Sequence, residues 1–489
     1  MSAGSTRPTI IVGGGFTGLF TAMHLCRQHH PRPIVLIDKG DRFVFKPLLY
    51  ELLSGELTEA QVWPRYDTLL NGDEITFIHG AVHRIDLASQ AVILASGHRY
   101  SYGHLILGLG STVHDLGIPG VNDHVFAFRT EEDVTKLRRH LRQCLQRASQ
   151  TQDLDQRRAL LTVAIIGAGP AGVEMAATLG DLLPQWASQF TGLVNELKIV
   201  IVNRSPNILK GDINSGLRNT VQRALQNRWV PIQFLTGAAV QVAADHLVYR
   251  DPGQDQGHTH TLPTYTILWM TGNRVNPVIA DLPNVQKDQA GRLRVLPTLQ
   301  LPGYPNVFAG GDCTVLDAPQ PATAQVAYQQ GTAIASNLKA LVHHQSPQPV
   351  QVSLRGTLIK LGQAEGAANL FDRIAITGRS GHLIRQGTYL SLLPNPVHNL
   401  SGIVSWLSDE LFQRHTLPSK PQPSLRSQLP GWVLGGALGL TIAVGGVLVW
   451  RALAPDRFKH LWPPTSVPTQ IDPEDQPQGT SMSRKFRTS

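Results

Sequence analysis

The stretch Thr9-Ile-Ile-Val-Gly13-Gly-Gly15-Phe-Thr-Gly18 decides the reading of this chain. Thr9 to Val12 reads as a buried strand, the glycines follow at once, and a helix runs on to about His30. Gly13 permits a tight turn, Gly15 lets the backbone approach a phosphate closely, and Gly18 lets helix and strand pack together. The helix start adds free N–H groups and the positive end of a dipole at the same point. A second strand, Ile34 to Ile37, ends in Asp38, twenty residues beyond Gly18. A carboxylate there can accept hydrogen bonds from both hydroxyls of a ribose. Together these features define a dinucleotide-binding βαβ unit.

The pattern recurs. A strand from Thr162 to Ile166 leads into Gly167-Ala-Gly169-Pro-Ala-Gly172, a helix from about Ala171 and a strand from Lys198 to Val202. Here the strand end reads Asn203-Arg204-Ser205, and the acid is missing. A carboxylate would repel a 2′-phosphate, whereas Asn203 tolerates one and Arg204 can pair with it. NADPH is therefore expected at this site, with NADH as the alternative. Far downstream, Asn306-Val-Phe-Ala-Gly-Gly311-Asp312 is an apolar strand ending in Gly-Asp. It can return to the first sheet and set Asp312 beside the ribityl chain of a flavin. That order gives FAD to the first site and the nicotinamide to the second.

The expected fold is α/β, with two Rossmann-like dinucleotide-binding domains, the second inserted in the first. The boundaries read as 7–120 plus 290–349 for FAD and 121–289 for NAD(P)H. Short strands are expected at Ile75 to His79 and Ala91 to Ala95, a helix at Glu131 to Ala148, and a polar linker at Ser149 to Arg158. With 489 residues and 42% hydrophobic content the chain can build more than one core. Its net charge of +8 comes without a dense Lys/Arg stripe interleaved with aromatics, which argues against nucleic acid as partner. The three cysteines, Cys26, Cys144 and Cys313, form no CxxC or CxxxxC pair. A zinc site or a local redox disulfide is therefore excluded, no metal is expected, and the compartment is a reducing one. The opening MSAGSTRPTI has no apolar run, so no signal peptide is expected.

Residues 350–418 carry no dinucleotide signature and read as a membrane-associated domain. Within them Ile403, Leu407 and Leu411 share one face of an amphipathic stretch, His398 to Phe412. A linker, 419–430, precedes Gly431 to Trp450, twenty residues without a charge. That length crosses a bilayer core, and Trp432 and Trp450 lie where interfacial aromatics prefer to sit. Gly431, Gly435 and Gly439 form a face that would allow a homodimer. The tail 451–489 is rich in Pro, Ser, Gln and Thr and reads as disordered. Basic residues lie on both sides of the span. The cytosolic nicotinamide substrate decides for catalytic domains on the cytoplasmic side.

The two units and the late Gly-Asp strand resemble the two-dinucleotide-binding-fold flavoproteins, the glutathione-reductase-like class. Within it the chain is similar to the type II NAD(P)H:quinone dehydrogenases, particularly the cyanobacterial type. The segments that carry this are Phe43-Val-Phe-Lys-Pro47-Leu-Leu-Tyr50-Glu-Leu, Phe128-Arg-Thr130, Gly172-Val-Glu174, Trp269-Met-Thr-Gly272 and Thr323-Ala-Gln325-Val-Ala-Tyr-Gln329-Gln330-Gly331. They span about residues 8 to 412. The resemblance implies transfer of hydride from NAD(P)H to FAD and of two electrons to a membrane quinone, without proton pumping. It implies that Phe16, Thr17, Lys39, Lys46, Pro47, Gly110, Gly311, Ala324 and Gln325 join Gly13, Gly15, Gly18, Asp38 and Asp312 around FAD. Pro170 and Gly272 join Gly167, Gly169, Gly172, Asn203 and Arg204 around the nicotinamide. Gln325 and Gln329 would meet the quinone, and Glu174 would lie near the nicotinamide or the quinone route. Asn203 departs from the family, whose second fold usually ends that strand in an acid, and so does the transmembrane extension. A reductase of a protein electron carrier and a low-turnover redox sensor remain the competing readings. If cyanobacterial, the protein belongs in the thylakoid or plasma membrane.

Overall fold

In the computed structural model, residues 7–394 are described, apart from 211–214, 253–257, 355 and 371–373. Thr9–Val12 lies at the centre of a six-stranded sheet. The order is Gln300–Leu301, Tyr304–Ala309, His104–Leu107, Thr9–Val12, Ile34–Asp38, Ile75–His79. The inner pairings are parallel, and Gln300–Leu301 closes the edge as an antiparallel hairpin. A parallel sheet is covered on both faces, so its strands are apolar throughout rather than alternating. Ile10, Ile11, Val12, Leu36, Ile106 and Phe308 are accordingly fully buried. Tyr304–Ala309 pairs with His104–Leu107 although the whole second sheet lies between them in sequence.

That second sheet runs Ile232–Thr236, Lys198–Asn203, Thr162–Ile166, Thr266–Trp269, parallel throughout. The registers of the two sheets agree at their glycine turns. Val12 faces Ile37 and Leu107, and Ile166 faces Val202 and Trp269. The next amide makes the same bond in each: Gly13 N donates to the Ile37 carbonyl at 2.8 Å, Gly167 N to that of Val202 at 2.9 Å. The two passages between the sheets, Ser111–Val113 and Asn273–Val275, pair antiparallel with each other.

One expectation is corrected and two are made more exact. The polar segment Ser149 to Arg158 is mostly helical. One helix runs Glu131–Gln150, and a second, Leu154–Leu161, starts where Asp153 accepts the Asp155 and Gln156 amides at 2.9 and 3.1 Å. The missed signal is an acid at an N-cap. The second glycine-turn helix begins at Pro170 rather than Ala171, with Gly169 as its cap. Proline suits that first position because its missing N–H would be unpaired there anyway. Residues past 350 carry their own structure, an antiparallel sheet of Gly356–Lys360, Gly366–Leu370 and Ile374–Gly378 with the helix Arg379–Ser391 against it. Gly366 makes that close approach possible, since a Cβ there would lie 2.9 Å from the His382 amide nitrogen. Among the described residues no helix is long and apolar enough to cross a membrane. The amphipathic stretch His398 to Phe412, the span Gly431 to Trp450 and the tail all lie outside the described residues.

Candidate active site

The first cradle is built by backbone exclusion. A Cβ on Gly13 would sit 2.5 Å from the Gly108 carbonyl oxygen, and one on Gly18 only 1.9 Å from that of Gly13. Gly15 faces open space instead, with nothing within 4 Å of where a Cβ would be. A phosphate group can therefore come against the start of the helix Phe16–Arg27. Asp38 lies at the strand end, its Oδ2 accepting from Gly14 N at 2.6 Å and its Oδ1 from Gly40 N at 2.8 Å. Each oxygen keeps a further lone pair for a ribose hydroxyl. Lys39 is exposed beside it. Phe16 packs edge-on against Phe43 and Phe45, and Thr17 Oγ1 donates to the Ala327 carbonyl at 3.2 Å.

Gly311 takes φ +79° and Gly110 φ +62°, the left-handed region that favours glycine. Asp312 accepts from Ser111 Oγ at 3.0 Å. The helix Ala324–Val342 begins here, capped by Thr323, which accepts from Val326 N at 3.3 Å. Gln325 stands in its first turn. Gln329 donates through its amide to the Ser353 carbonyl at 3.0 Å and accepts the Ser353 amide at 2.9 Å. The neighbour given no role by the sequence, Gln330, is buried and accepts from Gly311 N at 2.6 Å. It lines a small cavity with Gly311, Asp312 and Thr323.

The second cradle repeats the first at its glycines. Gly167 has φ +106°, a Cβ on Gly172 would lie 1.9 Å from the Gly167 carbonyl, and Gly169 again faces open space. Asn203 sits where Asp38 sits, but its bonding differs. Its Oδ1 accepts from Ala168 N at 3.2 Å and its Nδ2 donates to the Ser205 carbonyl at 2.7 Å. The amide therefore keeps the turn without bringing a negative charge, and Arg204 beside it is exposed. Gly272, φ +68°, closes the far side, where a Cβ would meet the His114 carbonyl at 2.5 Å.

Between the cradles lies a buried charge cluster. Glu174 projects from the helix Pro170–Ala187, and its Oε1 accepts from Lys360 N at 2.8 Å with Arg385 Nη2 3.5 Å away. Arg385 bonds the Pro47 carbonyl at 2.8 Å and Glu51 at 2.5 Å. Lys360 Nζ lies 3.1 Å from Glu51 and 2.5 Å from Glu56. Tyr50 donates to the Ala171 carbonyl at 3.1 Å, so the Pro47–Glu51 segment touches the first turn of the second cradle's helix.

Among the described residues, Lys360 and Arg385 face the three carboxylates of Glu51, Glu56 and Glu174. Burial would push the Glu51 carboxyl up, but Arg385 and Lys360 outweigh it and hold it at about 2. For Glu174 burial wins over Arg385 and the Lys360 amide, and its carboxyl titrates above the usual range. Glu51, Lys360 and Arg385 were not assigned roles by the sequence. The available signal was a lysine closing the apolar run Thr357-Leu-Ile-Lys360, which reads as a surface break unless its partners are known.

The two cradles, each at the strand ends of its own parallel sheet, define a protein built to hold two dinucleotides. The chain belongs to the pyridine nucleotide-disulphide oxidoreductase family, matched over residues 7–331, and within it to the type II NAD(P)H:quinone oxidoreductases. It is 31% identical over 418 residues to the demethylphylloquinone reductase NdbB of Synechocystis, covering 83% of this chain and 97% of that one. It is 30% identical over 440 residues to the alternative NAD(P)H-ubiquinone oxidoreductase C1 of Arabidopsis thaliana, covering 82% and 81%. Among solved structures, NDH2 of Plasmodium falciparum in complex with NADH superposes with a TM-score of 0.76 at 17% identity, covering 84% of this chain and 99% of that one, which shows the shared fold. The disulphide of the family's description has no counterpart here. Cys26, Cys144 and Cys313 are all free, and burial pushes the Cys313 thiol up to about 12.

Proposed function

We propose that this protein oxidises NADH or NADPH through FAD and passes two electrons to a quinone, without pumping protons. The observation that carries this reading is the Tyr50–Ala171 bond with the cluster behind it. It joins the segment at the edge of the first cradle to the helix that starts the second. A ring in each cradle can thus meet its partner without a mobile carrier.

FAD supplies a hydride acceptor that returns electrons as a pair. The residues do the rest. Gly13, Gly15, Gly18 and Asp38 hold the adenosine and pyrophosphate end, and Asp312 orients the ribityl chain. Burial favours the protonated form of Glu174, and with Oε1 taken by the Lys360 amide, Oε2 would carry the proton destined for the quinone oxygen. Gln325 offers a neutral donor to a quinone carbonyl, which places no charge in an apolar pocket. Gln329 positions rather than reacts, through its hold on Ser353. NAD(P)H, one proton and quinone give NAD(P)⁺ and quinol.

The domain boundaries stay as read above, and residues 350–418 with the span Gly431–Trp450 serve as membrane contact, the catalytic part being cytoplasmic. Close pairing of the glycine face would give a homodimer. Asn203 and Arg204 favour NADPH. Anaerobic flavin reduction by each nicotinamide, followed by reoxidation with a panel of quinones, tests the whole reading. Rapid reduction with no reoxidation by any quinone would overturn it. A kcat/KM at least about tenfold higher for NADH, worth about 1.4 kcal/mol, would overturn the NADPH preference alone.

A further inference from the structure

Arg129 and Asp312 are tied together through one hydroxyl. The Arg129 guanidinium donates to the Ser111 carbonyl at 2.9 Å, to Ser111 Oγ at 3.0 Å and to Asn273 Oδ1 at 2.8 Å. Ser111 Oγ then donates to Asp312 Oδ2 at 3.0 Å. Cation and acid offset each other, and Asp133 faces Arg129 from the other side with its carboxylate held by the Arg129 and Thr130 amides.

Lys46 is the charge left over. It opens the short turn Lys46–Leu48, whose next carbonyl, that of Pro47, is fixed by Arg385 at 2.8 Å. The side chain is exposed by surface area, yet protein crowds around it. Desolvation first, and Arg129 second, push its ammonium below the usual lysine range, and Asp312 offsets them only in part. Among the described residues it has no carboxylate within ion-pair distance and no hydrogen-bond acceptor. A cation so placed is either a costly accident or the counterpart of a negative charge that arrives with a ligand.

The position says which charge. The pyrophosphate end belongs to Gly13–Gly18, where a helix start already receives it. Lys46 stands instead beside Pro47 and within electrostatic reach of Asp312, the residue that on the proposed reading orients the ribityl chain leading to the ring. We infer that Lys46 sets the redox poise of the bound flavin: its ammonium faces the negative charge that the ring system gains on two-electron reduction. This rests on the reading that FAD occupies the first cradle. Lys46 then makes the flavin a better electron acceptor from the nicotinamide and matches it to a quinone of correspondingly higher potential.

The holoenzyme and the variants Lys46→Gln, Lys46→Met and Lys46→Arg test this. Lys46 lies outside the buried ion-pair cluster, so its replacement leaves the core charges paired. Two readouts besides turnover are the midpoint potential by dye equilibration and the dissociation constant for sulfite, which adds to flavin and leaves it anionic. Lys46→Gln and Lys46→Met are expected to shift the two-electron equilibrium about tenfold toward the oxidised form, about 30 mV, and to weaken sulfite binding by a similar factor. Lys46→Arg should restore most of both, and FAD retention should stay unchanged. Unchanged potential and sulfite affinity would overturn the inference. Weakened FAD retention at unchanged potential would also overturn it, by making Lys46 a clamp on the ribityl or phosphate end. A wild-type protein that purifies without flavin would instead overturn the assignment of the first cradle.

Discussion

The glycines of the two cradles differ in what they forbid and what they leave open. Gly172 has a carbonyl 1.9 Å from the place of a Cβ, while Gly169, three residues earlier, has nothing within 4 Å. One position is closed for packing and the other is kept open for a ligand. Gly172→Ala must therefore push the turn away from its helix, and a displacement of about 1 Å can cost about a hundredfold in rate. The expected outcome is a reductive half-reaction slowed to that extent in stopped-flow traces, with FAD content at the wild-type level. Equal rates in the two proteins would mean the turn does not hold the nicotinamide. Such positions were legible in the sequence because steric exclusion by backbone leaves only glycine, at a fixed spacing. Asn203 was legible for the same reason, through the acid that its place usually demands. Gln330 was not, because nothing local distinguishes its bond to Gly311 from the solvent-facing habit of most glutamines.

At the scale of elements, the strand Gly356–Lys360 and the helix Arg379–Ser391 dock through buried charge as well as apolar packing, Ile359 and Leu390 being fully buried. Lys360 and Arg385 bring two buried cations to Glu51 and Glu56. The sequence showed a region without a signature because the partners of each charge lie hundreds of residues away. Burying such pairs is costly, and removing one partner is costlier still, about 3–5 kcal/mol. Glu51→Gln should therefore lower the thermal midpoint of the holoenzyme at neutral pH by several degrees. The acid's titration has a definite sense as well. Its carboxyl sits at about 2 against an ordinary value of 4.5. It therefore contributes stability above the ordinary value and loses it as the pH falls toward 2. Thermal melts of the wild type should fall across that window and those of Glu51→Gln should fall less steeply. Parallel curves would show that Glu51 is not the group responsible. Glu174 acts in the opposite sense, because its raised carboxyl favours the protonated form and ionises at a cost as the pH rises.

For the whole molecule, the proposed reading gives the chemistry to the two cradles and the docked region, and membrane contact to residues 350–418 and the span Gly431–Trp450. Ending the chain at Ser419 should weaken flotation with liposomes while a short-chain, water-soluble quinone is still reduced at the wild-type rate. Flotation unchanged from the full chain would leave the span Gly431–Trp450 without a role in membrane contact. The cluster between the cradles also has a consequence for how the protein is made. Glu51 and Arg385 are 334 positions apart. At about 5–20 residues per second on the ribosome, roughly 20–70 s pass between the synthesis of one and of the other. During that time Glu51 has been translated and its arginine has not. Both glycine turns leave the exit tunnel earlier, so the newborn chain can grasp its dinucleotides first and seal the junction between them last.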